Sequence, residues 1–335
     1  MMPVNSPWLA AHGKLWYDDK RYRFAWIAWP QALAILALLW FWAMPPSAKH
    51  AQWGKPMDSD ARSTQLTELR DAAKSSQSAM DSLERDAIGG EALAQFFFGT
   101  LFDPDLKLST IVQPDIAKAV GWYARGASQG EDSSLRNIAL IYYYGTWVRR
   151  DYTRACYYAG KLGKGSLQGL GNALVVKGDC YARGLGDTKV DLVQAANAYE
   201  GAYSDGNARG GAALGYFYEN GVGGRAKSGE TALKYYREAA DKGDSLGLHN
   251  LGAAYNSGLF GLQRDGGEAA RLIVSALETK YEVTVQSLTT HPEIWSGDFW
   301  QNLQRRLAEK GLYNGPIDGR ANSATLDAVK RLGRN

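Results

Sequence analysis

A phrase that ends a helix returns at near-constant spacing through the middle of this 335-residue chain. It reads Ala119-Val-Gly-Trp-Tyr-Ala-Arg-Gly-Ala-Ser-Gln-Gly130, then Ala155-Cys-Tyr-Tyr-Ala-Gly-Lys-Leu-Gly-Lys-Gly165. It comes back as Ala198-Tyr-Glu-Gly-Ala-Tyr-Ser-Asp-Gly206 and Tyr235-Tyr-Arg-Glu-Ala-Ala-Asp-Lys-Gly243, so the closing glycines lie 35, 41 and 37 residues apart. A second phrase interleaves with the first: Tyr144-Gly145, Tyr181 to Gly184, Tyr218 to Gly221 and Tyr255 to Gly258, with glycines 39, 37 and 37 apart. Two independent markers on one period define a repeat, and this period belongs to stacked supersecondary units. Each unit has room for two short helices, each closed by a glycine that takes the left-handed conformation at C′. One unit cannot bury its apolar face alone, so the units must stack into an all-α, alpha-alpha solenoid. The 38 glycines of the chain largely punctuate these helix ends. With 45% hydrophobic and 22% charged residues, a disordered chain is excluded.

These units resemble the Sel-like repeat family, the tetratricopeptide-related helix pairs. Leu214-Gly-Tyr-Phe-Tyr-Glu-Asn-Gly221 followed by Ala232-Leu-Lys-Tyr-Tyr-Arg-Glu-Ala-Ala-Asp-Lys-Gly243 matches the family pattern nearly throughout. Leu251-Gly-Ala-Ala-Tyr-Asn-Ser-Gly258 opens another unit. The resemblance covers residues 91–283, with an insertion at Asp103 to Gln113 and a degenerate last unit through Ala269 and Ala276. It implies a protein-binding scaffold of the kind common in bacterial envelopes.

A second resemblance follows, after a linker expected over residues 284–297. Leu303-Gln304, Leu307, Gly311, Tyr313, Gly315, Asp318-Gly319, Thr325 and Ala328-Val329 resemble the small three-helix peptidoglycan-binding domain of bacterial wall enzymes. The resemblance covers residues 298–335 and implies peptidoglycan as a partner. Arg305, Arg306, Tyr313, Asn314, Asp318 and Arg320 are the candidate contacts. From Asp298 onward seven basic residues stand against four acidic ones, an excess equal to the +3 of the whole chain. Such a surface would attract the carboxylates of wall stem peptides at long range. A solubilising basic tail is the plainer alternative.

Phe24 to Met44 is a stretch of 21 residues without a charge. A membrane-spanning helix needs about 20. Trp26 and Trp29 near one end, and Trp40 and Trp42 near the other, fit an interfacial aromatic belt. Lys14, Lys20, Arg21 and Arg23 precede the stretch, whereas only Lys49 and Lys55 follow closely. The positive-inside rule then makes residues 1–23 a cytoplasmic tail and residues 24–44 a single transmembrane helix of a bacterial inner membrane. The bulk of the chain is expected in the periplasm. A cleaved signal peptide competes with this reading, but its apolar region runs to only about 7–15 residues, and it too exports the chain. Residues 45–90 read as a linker and one helix. Leu66, Leu69, Ala73, Ser76, Met80, Leu83 and Ala87 advance by steps of three and four, as a capping helix or a coiled-coil seam would. Its shortness favours the cap.

No constellation for catalysis, cofactor or metal emerges. Gly221-Val-Gly-Gly224 follows a repeat helix rather than the strand a dinucleotide loop needs, and reads as a repeat turn. His249 and His291 lack a second ligand at metal-binding spacing. The small net charge argues against a nucleic-acid partner. Cys156 and Cys180 are expected either to join in a disulfide or to remain two small buried thiols. The tyrosine runs Tyr142-Tyr-Tyr144, Tyr157-Tyr158, Tyr216-Phe-Tyr218 and Tyr235-Tyr236 recur at repeat positions, so most are expected between helices and the rest on a partner-binding face. The expected function is a non-enzymatic, membrane-anchored periplasmic adaptor that holds a protein partner by its repeats and peptidoglycan by its C-terminal module. The alternative is a regulator or assembly factor of a secretion or exopolysaccharide export machine, with a purely structural C-terminal module.

Overall fold

The computed structural model describes residues 59–162 and 169–334. The expected cytoplasmic tail, the transmembrane helix 24–44 and the turn at Gly165 lie outside the described residues. Among the described residues the chain is all-helical, and no helix is long and apolar enough to cross a membrane.

The heptad-like stretch is two helices, not one. α1 (Ser59–Ala73) and α2 (Gln77–Ile88) fold back on each other, because Ser76 turns its side chain to accept from the Ala79 amide and starts a new helix. Leu66, Ala73, Leu83 and Ala87 meet inside this hairpin, fully buried, and α2 packs on α3 (Ala92–Thr100). The hairpin therefore caps the solenoid; a continuous coiled-coil helix is not what these residues form.

The repeat follows as α4 (Ile116–Ser128), α5 (Asp132–Tyr144), α6 (Tyr152–Gly160), α7 (Gly171–Arg183), α8 (Leu192–Ser204), α9 (Ala208–Asn220), α10 (Gly229–Asp241), α11 (Ser245–Ser257) and α12 (Gly266–Glu278). α5, α7, α9 and α11 each end at a left-handed glycine: Gly145, Gly184, Gly221 and Gly258, with φ of 62° to 67°. The turn that follows is closed by one recurring bond. The amides of Asp151, Asp191, Ser228 and Asp265 donate to the carbonyls of Tyr142, Tyr181, Tyr218 and Tyr255 at 2.8–3.0 Å. The same four residues cap the next helix with their side chains. The glycine-tyrosine phrase is thus a turn with both ends tied down.

In most pairs a glycine of the first helix makes room for a large residue of the second. A Cβ at Gly99 would stand 2.9 Å from the Tyr123 ring, one at Gly215 would stand 2.5 Å from the Tyr236 ring, and one at Gly178 would collide with Tyr199. Two pairs lack such a tyrosine: α5–α6 has Ala139 and Ala159 at the equivalent positions, both fully buried, and a Cβ at Gly252 of α11 would stand 3.1 Å from Ile273 of α12. The three tyrosines are fully buried, and each hydroxyl donates to an acid on the first helix side: Tyr123 to Asp103, Tyr199 to Asp179 and Tyr236 to Glu219, at 2.6–2.8 Å.

The last elements continue the stack. Residues 284–297, expected as a linker, are instead α13 (Glu282–Thr290) and a 3-10 turn at Pro292–Ile294. Val285, Leu288 and Trp295 are buried there, which an exposed linker would not allow. α14 (Gly297–Glu309) packs on α12, and α15 (Ser323–Arg334) packs on α13. Residues 298–334 supply two helices, and α13 supplies the third of the expected three. The three share one core with Ala269, Ala270, Ile273 and Leu277 of α12.

Candidate functional site

The first helices of successive units turn one face towards a common cavity of about 500 Å³. Its wall takes Tyr143 and Tyr144 from α5, Val175, Asp179 and Arg183 from α7, and Arg209 and Ala213 from α9. Asp244 and Leu246 at the start of α11, and Tyr281 and Val283 at the start of α13, complete it. The repeat period places these residues: one first helix per unit puts its side chains into the same groove.

Asp179 is the electrostatic centre of the wall. It accepts from the Tyr143 hydroxyl and, at 2.7 Å, from the Tyr199 hydroxyl. Burial and the Asp179 charge push both phenols above the ordinary tyrosine value, so they remain donors at neutral pH. Arg183, one turn on, acts on the same two hydroxyls in the opposite sense. Across the groove Arg209 donates from Nε to Asp244 at 2.9 Å and from Nη2 to Ser245 Oγ at 2.6 Å. Its guanidinium carbon lies 4.8 Å from the centroid of the Tyr281 ring. Burial opposes the charged form of Arg209, but Tyr281, Asp244 and Asp179 outweigh it and raise the pKa.

A narrower slot of about 160 Å³ adjoins the groove and shares Tyr144 with it. Leu106, Leu140, Ile141 and Trp147 form its apolar walls, with Asp103 and Asp105 at one side. Tyr144, Trp147 and Leu106 are 55%, 49% and 43% exposed, the kind of accessible aromatic and apolar surface that partners use. Of the tyrosine runs, Tyr142 is buried and Tyr157 exposed, so the runs divide between packing and surface.

The candidate wall-binding residues meet at the turn between α14 and α15 with different duties. Gln304 is buried and organises that turn: its Nε2 donates to Asp318 Oδ1, to the Arg320 carbonyl and to Thr325 Oγ1 at 3.0–3.1 Å, and its Oε1 accepts from the Gly319 amide. Tyr313 is buried too, and its hydroxyl donates to the Pro316 carbonyl at 2.8 Å. Tyr313 and Asp318 therefore hold the turn together, and the Gln304 and Arg320 amides keep the Asp318 carboxyl below the usual range. Arg305, Asn314 and Arg320 are exposed, and Arg306 half-buried. Three other basic residues of this segment are spent on ion pairs: Lys310 with Glu278, Lys330 with Asp327 and Arg334 with Glu282.

Cys156 of α6 and Cys180 of α7 form a disulfide, with Cα atoms 5.7 Å apart. His249 is buried within α11 with its ring against Trp295, and His291 pairs with Glu293. Among the described residues no group of three or more metal-ligating side chains converges. Sequence reasoning missed Asp179, Arg183, Arg209, Asp244 and Tyr281. The available signal was a set of charged residues on first helices otherwise rich in glycine and alanine.

A scan against family models matches the Sel1 repeat at residues 106–131, 132–164, 170–200, 212–244 and 245–277. Among solved structures the chain is similar to a Sel1 repeat protein from Oxalobacter formigenes, at 21% identity and a TM-score of 0.48 over 66% of this chain and 88% of that one. It is also similar to c5321, a protective antigen of uropathogenic Escherichia coli strains displaying an SLR fold, at 21% identity and a TM-score of 0.36 over 76% and 63%. An immunity protein from Pseudomonas aeruginosa aligns at 17% identity and a TM-score of 0.35 over 76% and 80%. No curated protein matches the chain. The five matched stretches fall between residues 106 and 277, so this part of the chain carries Sel1 repeats.

Proposed function

We propose that this protein is a membrane-anchored adaptor of a bacterial envelope, which binds a protein partner in the inner groove and peptidoglycan at the α14–α15 turn. The observation that carries the reading is the groove itself. Four successive units and the start of α13 contribute a wall of aromatic rings and paired charges to one cavity, and Sel1 repeat proteins generally mediate protein–protein interaction. The anchor rests on the uncharged stretch 24–44, and the wall contact on the exposed Arg305, Asn314 and Arg320.

A photo-crosslinking residue at Tyr144 in living cells tests the groove, and pelleting of the full chain with purified sacculi tests the wall contact. Arg305→Glu with Arg320→Glu should abolish retention on sacculi while leaving the crosslink at 144. A second reading, in which the C-terminal helices are purely structural and the chain serves a secretion or exopolysaccharide export machine, is favoured by the docking of α14 and α15 on α12 and α13. Absence of wild-type retention, with the crosslink intact, would select that second reading.

A further inference from the structure

The groove and the slot differ in charge, and that difference specifies what each can hold. The groove wall is balanced: Asp179 and Asp244 stand against Arg183 and Arg209, and Asp244 is paired with Arg209 at 2.9 Å. A charged side chain entering it would lose its water with no excess of opposite charge to receive it. The slot is not balanced. Asp103 and Asp105 line it and no basic residue does.

Of these two acids, Asp103 is committed. One carboxylate oxygen accepts from the Asp105 amide at 3.0 Å and the other from the Tyr123 hydroxyl at 2.8 Å, and the residue is buried. Asp105 is exposed, and Trp147 Nε1 donates to its Oδ1 at 2.6 Å. That bond fixes the carboxylate and leaves Oδ2 available. It stands beside two exposed rings, Trp147 and Tyr144, in the same slot. A pinned carboxylate next to two accessible aromatic rings is complementary to a lysine or arginine side chain, whose aliphatic stem would lie on Leu106 and Ile141.

We propose that the partner docks through an extended segment that places one basic side chain in the Asp105–Trp147 slot and one large uncharged side chain in the groove, on either side of Tyr144. This rests on the protein-binding reading above and specifies the partner's chemistry. Tyr144 is the wall common to both cavities, so a single segment reaches both.

A phage-displayed random dodecapeptide library panned on the immobilised full chain tests it. The expected enriched peptides pair a Lys or Arg with a large apolar or aromatic residue a short distance away. Their affinity should fall about tenfold in Asp105→Asn and in Trp147→Ala, the loss of one salt-screened ion pair or one cation–π contact, and should weaken with added salt in the wild type. Both positions are exposed, so an unchanged circular dichroism spectrum is the expected control. Enriched peptides without a basic residue, or with affinity insensitive to Asp105→Asn and Trp147→Ala, would overturn the inference while leaving protein binding intact. No enrichment over an unrelated helical repeat protein would overturn both.

Discussion

Lys280 shows how much a single backbone position carries in a repeat. Gly206 and Gly243 are left-handed at φ of 82° and 75°, and one period later Lys280 occupies the same site at φ of 60°. A side chain in that conformation costs about 1–2 kcal/mol, which glycine avoids at some cost in chain entropy. Lys280→Gly should therefore raise stability by up to about 1 kcal/mol in urea denaturation; a loss instead would mean that the lysine side chain contributes more than its backbone strains. Glu219 carries a pH dependence of the opposite kind to a surface carboxylate. Burial raises its pKa, against the Tyr236 hydroxyl and Lys227, which lower it. A carboxyl with a raised folded pKa binds its proton more tightly in the folded state, so stability falls as pH rises from the ordinary glutamate value through the raised one. Glu219→Gln keeps an acceptor for Tyr236 and removes the titration. Thermal melts across that window should show the decline flattened in the variant, and parallel declines would refute the assignment. The sequence announces the glycines, because their spacing is a pattern along the chain. It does not announce the acid each buried tyrosine finds, since Asp103 and Glu219 sit four residues beyond Gly99 and Gly215, whereas Asp179 sits one beyond Gly178 and Ala182 takes the usual place.

At the scale of elements, the α6–α7 junction differs from its neighbours. In the preceding α5–α6 pair Ala139 and Ala159 stand where others have glycine and tyrosine, and at the junction itself the Cys156–Cys180 disulfide joins the two helices across 24 residues of chain. Closing a loop of that length restricts the unfolded chain by about 3 kcal/mol in the entropic account. Replacing both cysteines by alanine should lower stability by about that amount, read as a shift in the denaturation midpoint. A shift confined to a few tenths of a kcal/mol would mean that the helices hold the junction unaided. α7 supplies Val175, Asp179 and Arg183 to the groove, so the bond also steadies one wall of the proposed site. Element boundaries were legible where a glycine or a capping acid marks them. They were hidden at α13, whose Glu282-Val-Thr-Val-Gln-Ser-Leu-Thr-Thr290 is rich in β-branched residues with poor helix propensity. Packing overrides that preference, because Val285 and Leu288 are buried against the helices on either side. Likewise the spacing from Leu66 to Ala87 fits one helix as well as two, and only the cap at Ser76 decides.

For the whole molecule, the consequence is that the C-terminal helices behave as the last layer of the stack. The groove was only partly visible in the sequence for a related reason: residues such as Tyr144 and Arg209 meet through the repeat rise, not through any local spacing. Where the stack ends, Gly333 of α15 lies so close to α13 that a Cβ there would collide with Val285 and stand 3.3 Å from Leu277 Cδ2 of α12. Gly266 at the start of α12 is similarly tight, a Cβ there falling 2.6 Å from the Phe299 amide of α14. A unit in such a stack is stabilised mainly by its neighbours, so weakening the end layer weakens the layer beneath it. Gly333→Val should overpack this contact at about 1–3 kcal/mol. Loss of amide-exchange protection should then extend beyond α14 and α15 into α12 and α13, while α4 to α9 keep theirs. A C-terminal module tethered by a linker would respond differently: lost protection would stop at residue 298, and α12 would exchange as in the wild type. The same coupling means that wall contact at Arg305 and Arg320 would be felt through α14 by α12, the layer next to α11, whose Asp244 and Leu246 line the groove. Sacculus binding should accordingly raise the protection of α12 amides in the wild-type chain and fail to do so in Gly333→Val.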